Sequence, residues 1–336
     1  MTMVIREYLT EQTKATLKMS LAERIAYNWE DSWIRYDAAD EILGELEDAF
    51  NRPTAIRPLN GLIVAPPGNG KTALLGEVRG THPWTTTSHT AGDSGANILL
   101  TSTAGNGKTA IMNRTWTTHP EFDTEPVVVK PVVYVLTPAD CNEGKLWSEL
   151  LRGLGYSDYD RGSLLMKKRI VLNALKKCGT RLILVDEIHN MLGGRAKAEK
   201  SLAVLKNIST ETGRPIVFAG TEAASEVLEY DTQLTTRLDR LEIPLWKKGR
   251  ELGRLLHGIE STLSLRNPSN LHEDPLMSKI YSLSAAFDTN PDKKRPGILV
   301  NILKVTRFAA GYAIKDGTER ITTAHLERAA EKKGWR

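Results

Sequence analysis

The apolar positions of this chain follow two different rhythms. Up to residue 58 they recur at helical spacing: in WIRYDAADEILGELEDAF, Ala38, Ile42, Leu46 and Ala49 form one stripe with acids opposite, until Pro53 and Pro58 end the pattern. From Leu62 onward, short runs apolar at every position (LIVA, ILLT, PVVYVL, RLILVDE, PIVFAG) alternate with amphipathic stretches. Strands buried on both faces have no polar alternation, so these runs predict a parallel sheet with helical crossovers, an α/β core. After RLEIPLW the runs stop, and GRELGRLLHGIESTLSL, LMSKIYSLSAAF, GILVNILKVTRFAAGYAI and TTAHLERAAEKK read as helices between loops holding Pro268, Pro275, Pro291 and Pro296. The pattern divides into an N-terminal helical arm over 1–58, an α/β core over 59–246 and a helical domain over 247–336.

Composition narrows the setting more than the function. The 336 residues are 40% hydrophobic and 26% charged, with a net charge of +4, which suits a soluble globular protein with a mildly basic surface. That bias is too small to establish a nucleic-acid partner. Cys141 and Cys178 are the only cysteines and have no His or Cys at ligand spacing, so they read as buried thiols in a reducing compartment. The start, MTMVIREYLTEQTK, mixes charges among its apolar residues, and no run approaches the ~18 apolar residues that span a bilayer. The expectation is a cytoplasmic protein with no membrane partner.

The candidate chemistry begins with a pentapeptide present twice, GNGKT at Gly68–Thr72 and again at Gly105–Thr109. Between an apolar run and a helix, this is the core of a phosphate loop. Successive N–H groups cradle phosphates, the lysine reaches the β and γ oxygens, and the threonine hydroxyl takes Mg²⁺. The usual earlier glycine, with four residues between it and the second, is Ala65 in one copy and Ser102 in the other. The offset of 37 between Lys71 and Lys108 recurs at Asn60 and Asn97, Thr72 and Thr109, His82 and His119, and Pro83 and Pro120. Such a register indicates a tandemly duplicated strand–loop–helix unit over about 60–96 and 97–133. Only one strand, RLILVDE, delivers paired acids, Asp186 for the water shell of Mg²⁺ and Glu187 to polarise an attacking water. One phosphate-loop strand can sit beside it. Chain continuity favours the second copy (Gly105, Asn106, Gly107, Lys108, Thr109), which runs straight into PVVYVL. The PPGNGKT form favours the first (Gly68, Asn69, Gly70, Lys71, Thr72). The second copy is the expected occupant, with the first as the alternative.

Taken together, these segments resemble the TniB/TnsC group of AAA+ ATPases of DNA transposition, from about Trp33 to Leu326. WIRYDAADEILGELEDAF resembles the helix before the ATPase core, GNGKT…THPEF its phosphate loop and following helix, and LILVDEIHNML its Walker B strand with His-Asn. GRPIVFAGTEAASEVLEYDTQLTTRLDRLEIPLW resembles its sensor strand and arginine-bearing segment. The resemblance implies an AAA+ P-loop core with a C-terminal helical lid, and ATP and Mg²⁺ as cofactors. It also implies Thr221 as sensor and Arg237 as arginine finger toward a neighbouring subunit, with Arg240 as second choice. GILVNILKVTR lacks an arginine in its first turns, leaving Lys304 or Arg307 as substitutes for a second sensor. His189 is placed either to report nucleotide state or to cap a loop.

The resemblance further implies assembly as a homo-oligomeric ring or filament on double-stranded DNA. A DDE transposase, and a target-selector protein, would be the partners. Lys167, Lys168, Arg169, Lys176 and Lys177 on one helix, with Arg195, Lys197 and Lys200, are the candidate phosphate contacts. The expected function is an ATP-dependent transposition regulator whose filament hydrolysis dismantles. A helicase-loader-type ATPase and a non-hydrolysing adaptor are the alternatives.

Overall fold

A computed structural model describes residues 8–55, 58–83, 85–87, 99–100, 127–157, 160–192, 194–231, 236, 238–285 and 296–334. Its strands are β1 (Asn60–Val64), β2 (Thr85–Thr87), β3 (Leu99–Leu100), β4 (Val127–Val129), β5 (Val132–Leu136), β6 (Leu182–Asp186), β7 (Ile216–Gly220) and β8 (Leu238–Glu242). Its helices are α1 (Glu11–Thr16), α2 (Leu21–Tyr27), α3 (Asp37–Asn51), α4 (Lys71–Thr81), α5 (Glu143–Leu154), α6 (Leu164–Lys177), α7 (Arg195–Thr212), α8 (Ala223–Leu228), α9 (Arg250–Ser261), α10 (Leu276–Ser284), α11 (Leu299–Lys315) and α12 (Thr323–Lys333). The chain divides into two compact units: Leu43–Val64 with Leu74–Leu241, and Met1–Ile42 with Ala65–Ala73 and Glu242–Arg336.

In the first unit the main sheet has the order β5-β6-β7-β1-β8. β5, β6, β7 and β1 run parallel, in registers that set Leu136 beside Asp186, Val185 beside Phe218 and Val64 beside Gly220. All residues of β6 and β7 are buried, which is why neither alternates. Trp147 and Leu150 of α5, Val171 and Leu175 of α6, and Ile208 of α7 join Phe218 in one apolar core. The helices start where their side chains can close a turn. Asn142 accepts from the Lys145 amide at 3.0 Å to open α5, and Ser163 from the Met166 amide at 3.3 Å to open α6. The sequence-based expectation of a central parallel sheet with helical crossovers holds.

The choice between the two repeated units does not. It is the first copy, Asn60–Val64, that enters the main sheet, paired with β7, and β7 stands between it and the Asp186 strand. Of the second copy's ILLT, the described residues Leu99–Leu100 form β3, which pairs antiparallel with β2 in a separate sheet of order β3-β2-β4. Its loop, Gly105–Thr109, lies outside the described residues. The physical reason is at the base of the intervening segment. Thr85–Thr87 pair antiparallel with Val127–Val129, so the chain leaves and returns at one place. Closing a long excursion costs little more entropy than closing a short one, so proximity in sequence to PVVYVL gives the second copy no advantage. Asn60 also ties β1 in, its Oδ1 accepting from the Ile216 amide at 2.9 Å.

In the second unit α9, α11 and α12 share a core of Leu252, Leu256, Ile259, Ile302, Val305 and Leu326, against which Ile25 of α2 and Ile34 pack. Beneath it Arg24, fully buried, donates to Glu319 Oε1 at 2.8 Å and to the Ser264 carbonyl at 2.6 Å. Burial alone would raise the Glu319 carboxyl, but the Arg24 fork outweighs it and holds the group below its ordinary value.

A second acid gives this unit a readable pH dependence. Asp316 accepts from the Thr318 hydroxyl at 2.7 Å and the Thr318 amide at 3.0 Å, and faces His325 Nε2 at 2.7 Å. The Thr318 bonds foremost, then His325, bring its carboxyl from 3.8 to about 2. A folded-state value below the unfolded one stabilises at higher pH, so the contribution is complete above 3.8 and is lost as pH falls through about 2. The pair is partly exposed, and solvent screening keeps its worth to about 1 kcal/mol or less. Asp316→Asn is therefore expected to lower Tm slightly at neutral pH, with a difference from wild type that shrinks as pH drops through that window. A difference that is constant with pH would refute the assignment.

Candidate functional site

The loop of the first copy has the geometry its sequence calls for. Gly68 and Gly70 take φ of 73° and 90°, the left-handed region where a Cβ is strained, and they turn the chain sharply into α4. Lys71 is the first residue of α4 and is buried, and its ammonium donates back to the Ala65 carbonyl at 3.2 Å. Thr72 follows, exposed. A helix N-terminus preceded by glycines aims a set of N–H groups at one place and adds the positive end of the helix dipole, which suits an anion. Asn69, between the two glycines, has its side chain fully buried and bonded to protein backbone. Two aromatic residues that the sequence reading passed over stand in the same unit. Tyr36 packs edge-on to Trp246, centroids 5.0 Å apart, and its hydroxyl would lie 3.7 Å from a Cβ at Gly70. Burial pushes the Tyr36 hydroxyl up to about 12, so it stays protonated. The clue available in the sequence was their place, at the ends of WIRY and RLEIPLW.

The other unit carries the acids. Asp186 ends β6 completely buried, with Oδ1 accepting from the Glu187 amide at 2.8 Å and Oδ2 from the Tyr134 hydroxyl at 3.0 Å. Burial, and after it the Asp186 charge, raise the Tyr134 hydroxyl above its ordinary value, which keeps it a donor. Tyr134, from β5, is thus a third residue that sequence motifs missed, since PVVYVL reads simply as a strand. A buried carboxylate with both oxygens oriented is a hard donor suited to Mg²⁺ or its water shell. Glu187 has a φ of 57°, uncommon outside glycine. Its Oε2 lies 3.1 Å from His189 Nε2, so His189 is a neighbour of the candidate base. Thr221 directly follows β7 and is half-buried, its carbonyl accepting from the Ala224 amide at 2.8 Å to open α8. Because the strands are parallel, Val64, Asp186 and Gly220 all end at one edge of the sheet, where ligands of open α/β folds bind.

The remaining candidates separate by burial. Arg237 lies outside the described residues, while Arg240 is exposed on β8. Arg307 donates to the Glu30 carbonyl at 2.9 Å and covers Trp29, so it serves the packing of the N-terminal segment. Lys304 is exposed on α11. Among the proposed DNA contacts, Lys167 is buried and bonded to Ser148 Oγ at 2.8 Å and the Asp160 carbonyl at 3.0 Å, a structural lysine joining α6 to α5. Lys168 pairs with Glu211 at 3.2 Å. Arg169, Lys176 and Lys177 are exposed, as are Arg195, Lys197 and Lys200 on α7.

The fold is similar to that of the Aeropyrum pernix ORC2 protein in its ADP form, with TM-score 0.58 and 17% identity over 90% of this chain and 71% of that one. It is also similar to Cdc6p from Pyrobaculum aerophilum, with TM-score 0.55 and 13% identity over 91% and 70% of the two chains. The Aeropyrum pernix ORC1 protein in complex with DNA gives TM-score 0.52 and 15% identity over 92% and 69%. At these identities the likeness establishes the fold alone. No match was found among curated proteins. The family model described as "Bacterial TniB protein" matches residues 24–95 and again 88–248, so that each match contains one GNGKT. Those two stretches span well over half of the chain, which therefore belongs to the TniB family.

Proposed function

We propose that this protein is an ATP-dependent regulator of DNA transposition that assembles on double-stranded DNA, recruits or activates a DDE transposase, and comes apart on hydrolysis. The observation that carries the reading is the joint presence, in a TniB-family chain, of a glycine-formed phosphate loop and a buried Asp186 followed by Glu187. In this reading the first copy is the working loop. Gly68, Gly70 and the N-terminus of α4 would cradle the phosphates, Lys71 would neutralise the β and γ oxygens, and Thr72 and Asp186 would hold Mg²⁺, whose charge would offset that developing on the phosphoryl group. Glu187 orients and deprotonates the attacking water, Thr221 senses the γ-phosphate, and Arg237 completes the site of a neighbouring subunit. Exposed Arg169, Lys176 and Lys177 contact DNA phosphates without reading sequence. The division into arm, core and lid at residues 58 and 246 belongs to the same proposal.

The test is DNA binding by the full chain with Mg²⁺ and ATP, with ADP, and without nucleotide. Binding should be markedly tighter with ATP and decay as ATP is consumed, and higher salt should weaken it. Equal binding in all three conditions would refute the reading.

A further inference from the structure

The residue between the two loop glycines has an assignment of its own. Asn69 is fully buried, although Pro67 and Gly68 just before it are exposed. Its Nδ2 donates to the Ile243 carbonyl at 3.2 Å and the Pro244 carbonyl at 2.8 Å, and its Oδ1 accepts from the Leu299 amide at 3.3 Å. The next amide of α11, that of Val300, donates to the Gly68 carbonyl at 3.0 Å. Those bonds meet a need of α11. Its first amides have no partner within the helix, and the residue at its N-cap is Ile298, whose side chain has no acceptor. The phosphate loop supplies the cap from a distant part of the sequence. Apolar contacts close the same junction: a Cβ on Gly68 would lie 2.6 Å from Val300 Cγ1, and one on Gly70 3.3 Å from Leu299 Cδ2. Val300 and Leu299 thus sit on the glycines that shape the loop.

We infer that Asn69 is a positioning residue which caps α11 from a distant part of the same chain and ties the phosphate loop to Ile243 and Pro244, so that nucleotide in the loop is felt at the first turn of α11. The inference rests on the reading that this loop takes nucleotide. It explains why the loop carries Asn at a position where phosphate binding itself needs only backbone. Asn has the two donors and the acceptor that the three bonds use. It also supplies a link between loop and α11 in a helix that lacks an arginine in its first turns.

Hydrogen exchange on the full chain, with and without a non-hydrolysable ATP analogue and Mg²⁺, tests this. In the wild type the analogue should slow exchange at Leu299 and Val300 together with the loop amides. Asn69→Ala should still bind the analogue and protect the loop, but lose the gain at α11. Without nucleotide its Leu299 amide should exchange roughly fivefold faster, the factor matching about 1 kcal/mol of lost capping. Asn69→Asp keeps an acceptor for Leu299 but sets its second oxygen, also an acceptor, against the Ile243 and Pro244 carbonyls, so it too should lose the α11 response, and retained loop protection in either variant separates that loss from a misfolded loop. A wild type whose loop is protected while α11 is unchanged overturns the inference, whether or not the alanine variant folds. A wild type that binds no analogue refutes the nucleotide reading instead. Asn69 is then decided by exchange without nucleotide: faster Leu299 exchange in Asn69→Ala supports the cap, and an unchanged rate overturns it.

Discussion

Lys71→Ala is expected to reduce DNA-stimulated ATP hydrolysis by about 10²-fold or more, the usual cost of removing a group that stabilises transition-state charge, while Lys108→Ala leaves the rate near wild type. The two lysines stand in identical pentapeptides, so their local chemistry cannot separate them. Their surroundings can. The strand before Lys71 is a member of the parallel sheet that also carries Asp186, ending at the same edge. Gly68 and Gly70 adopt the conformations a phosphate loop needs, and Lys71 opens a helix. The strand before Lys108, described over Leu99–Leu100, pairs outside that sheet. Steady-state hydrolysis by wild type and both variants, side by side, decides the matter. Loss only with Lys108→Ala would mean that the loop in the sheet is a scaffold and that the working loop is the one reached through β3. Loss with both would make the repeated loops interdependent, against the assignment to Lys71 alone.

The sheet was readable in the sequence because burial on both faces leaves a mark at every position: LILVD and IVFAG have no polar residue to hide before the ends of β6 and β7. The acids were readable for the same reason, since Asp186 interrupts such a run. What could not be read was pairing. Whether β1 or β3 enters the sheet depends on the hydrogen bonds from Thr85–Thr87 to Val127–Val129, and a run of three threonines carries little sign of its partner. Side-chain direction was equally hidden. Lys167 looks like its neighbours in MKKR, yet the helix turns it inward to Ser148 and leaves Arg169 outside. Tyr134 gains its role only because parallel register sets β5 beside β6 and its hydroxyl reaches Asp186 across the strands. Asn69 belongs to a motif known for its backbone, so its side chain draws no notice until three distant backbone groups are seen around it.

Glu187→Gln should separate assembly from hydrolysis. The exchange keeps the size of the side chain, and Gln tolerates the backbone φ of 57° no worse than Glu does, so the end of β6 and the Asp186 bond to the residue 187 amide should persist. The amide oxygen can still accept from His189, which lies 3.1 Å from the carboxylate in the native chain. What is lost is the capacity to take a proton from water, and general-base contributions of this kind amount to about 10²–10⁴-fold in rate. Nucleotide affinity should change little, because the phosphate loop and Asp186, the proposed Mg²⁺ ligand, are untouched. ATP-dependent complexes with DNA should then outlive those of the wild type, as measured by dissociation after dilution at constant ATP. Hydrolysis at the wild-type rate would remove Glu187 from the mechanism. Loss of nucleotide binding would instead make its strained backbone and its contact with His189 structural, and the base would have to be sought elsewhere at the ends of β5–β7.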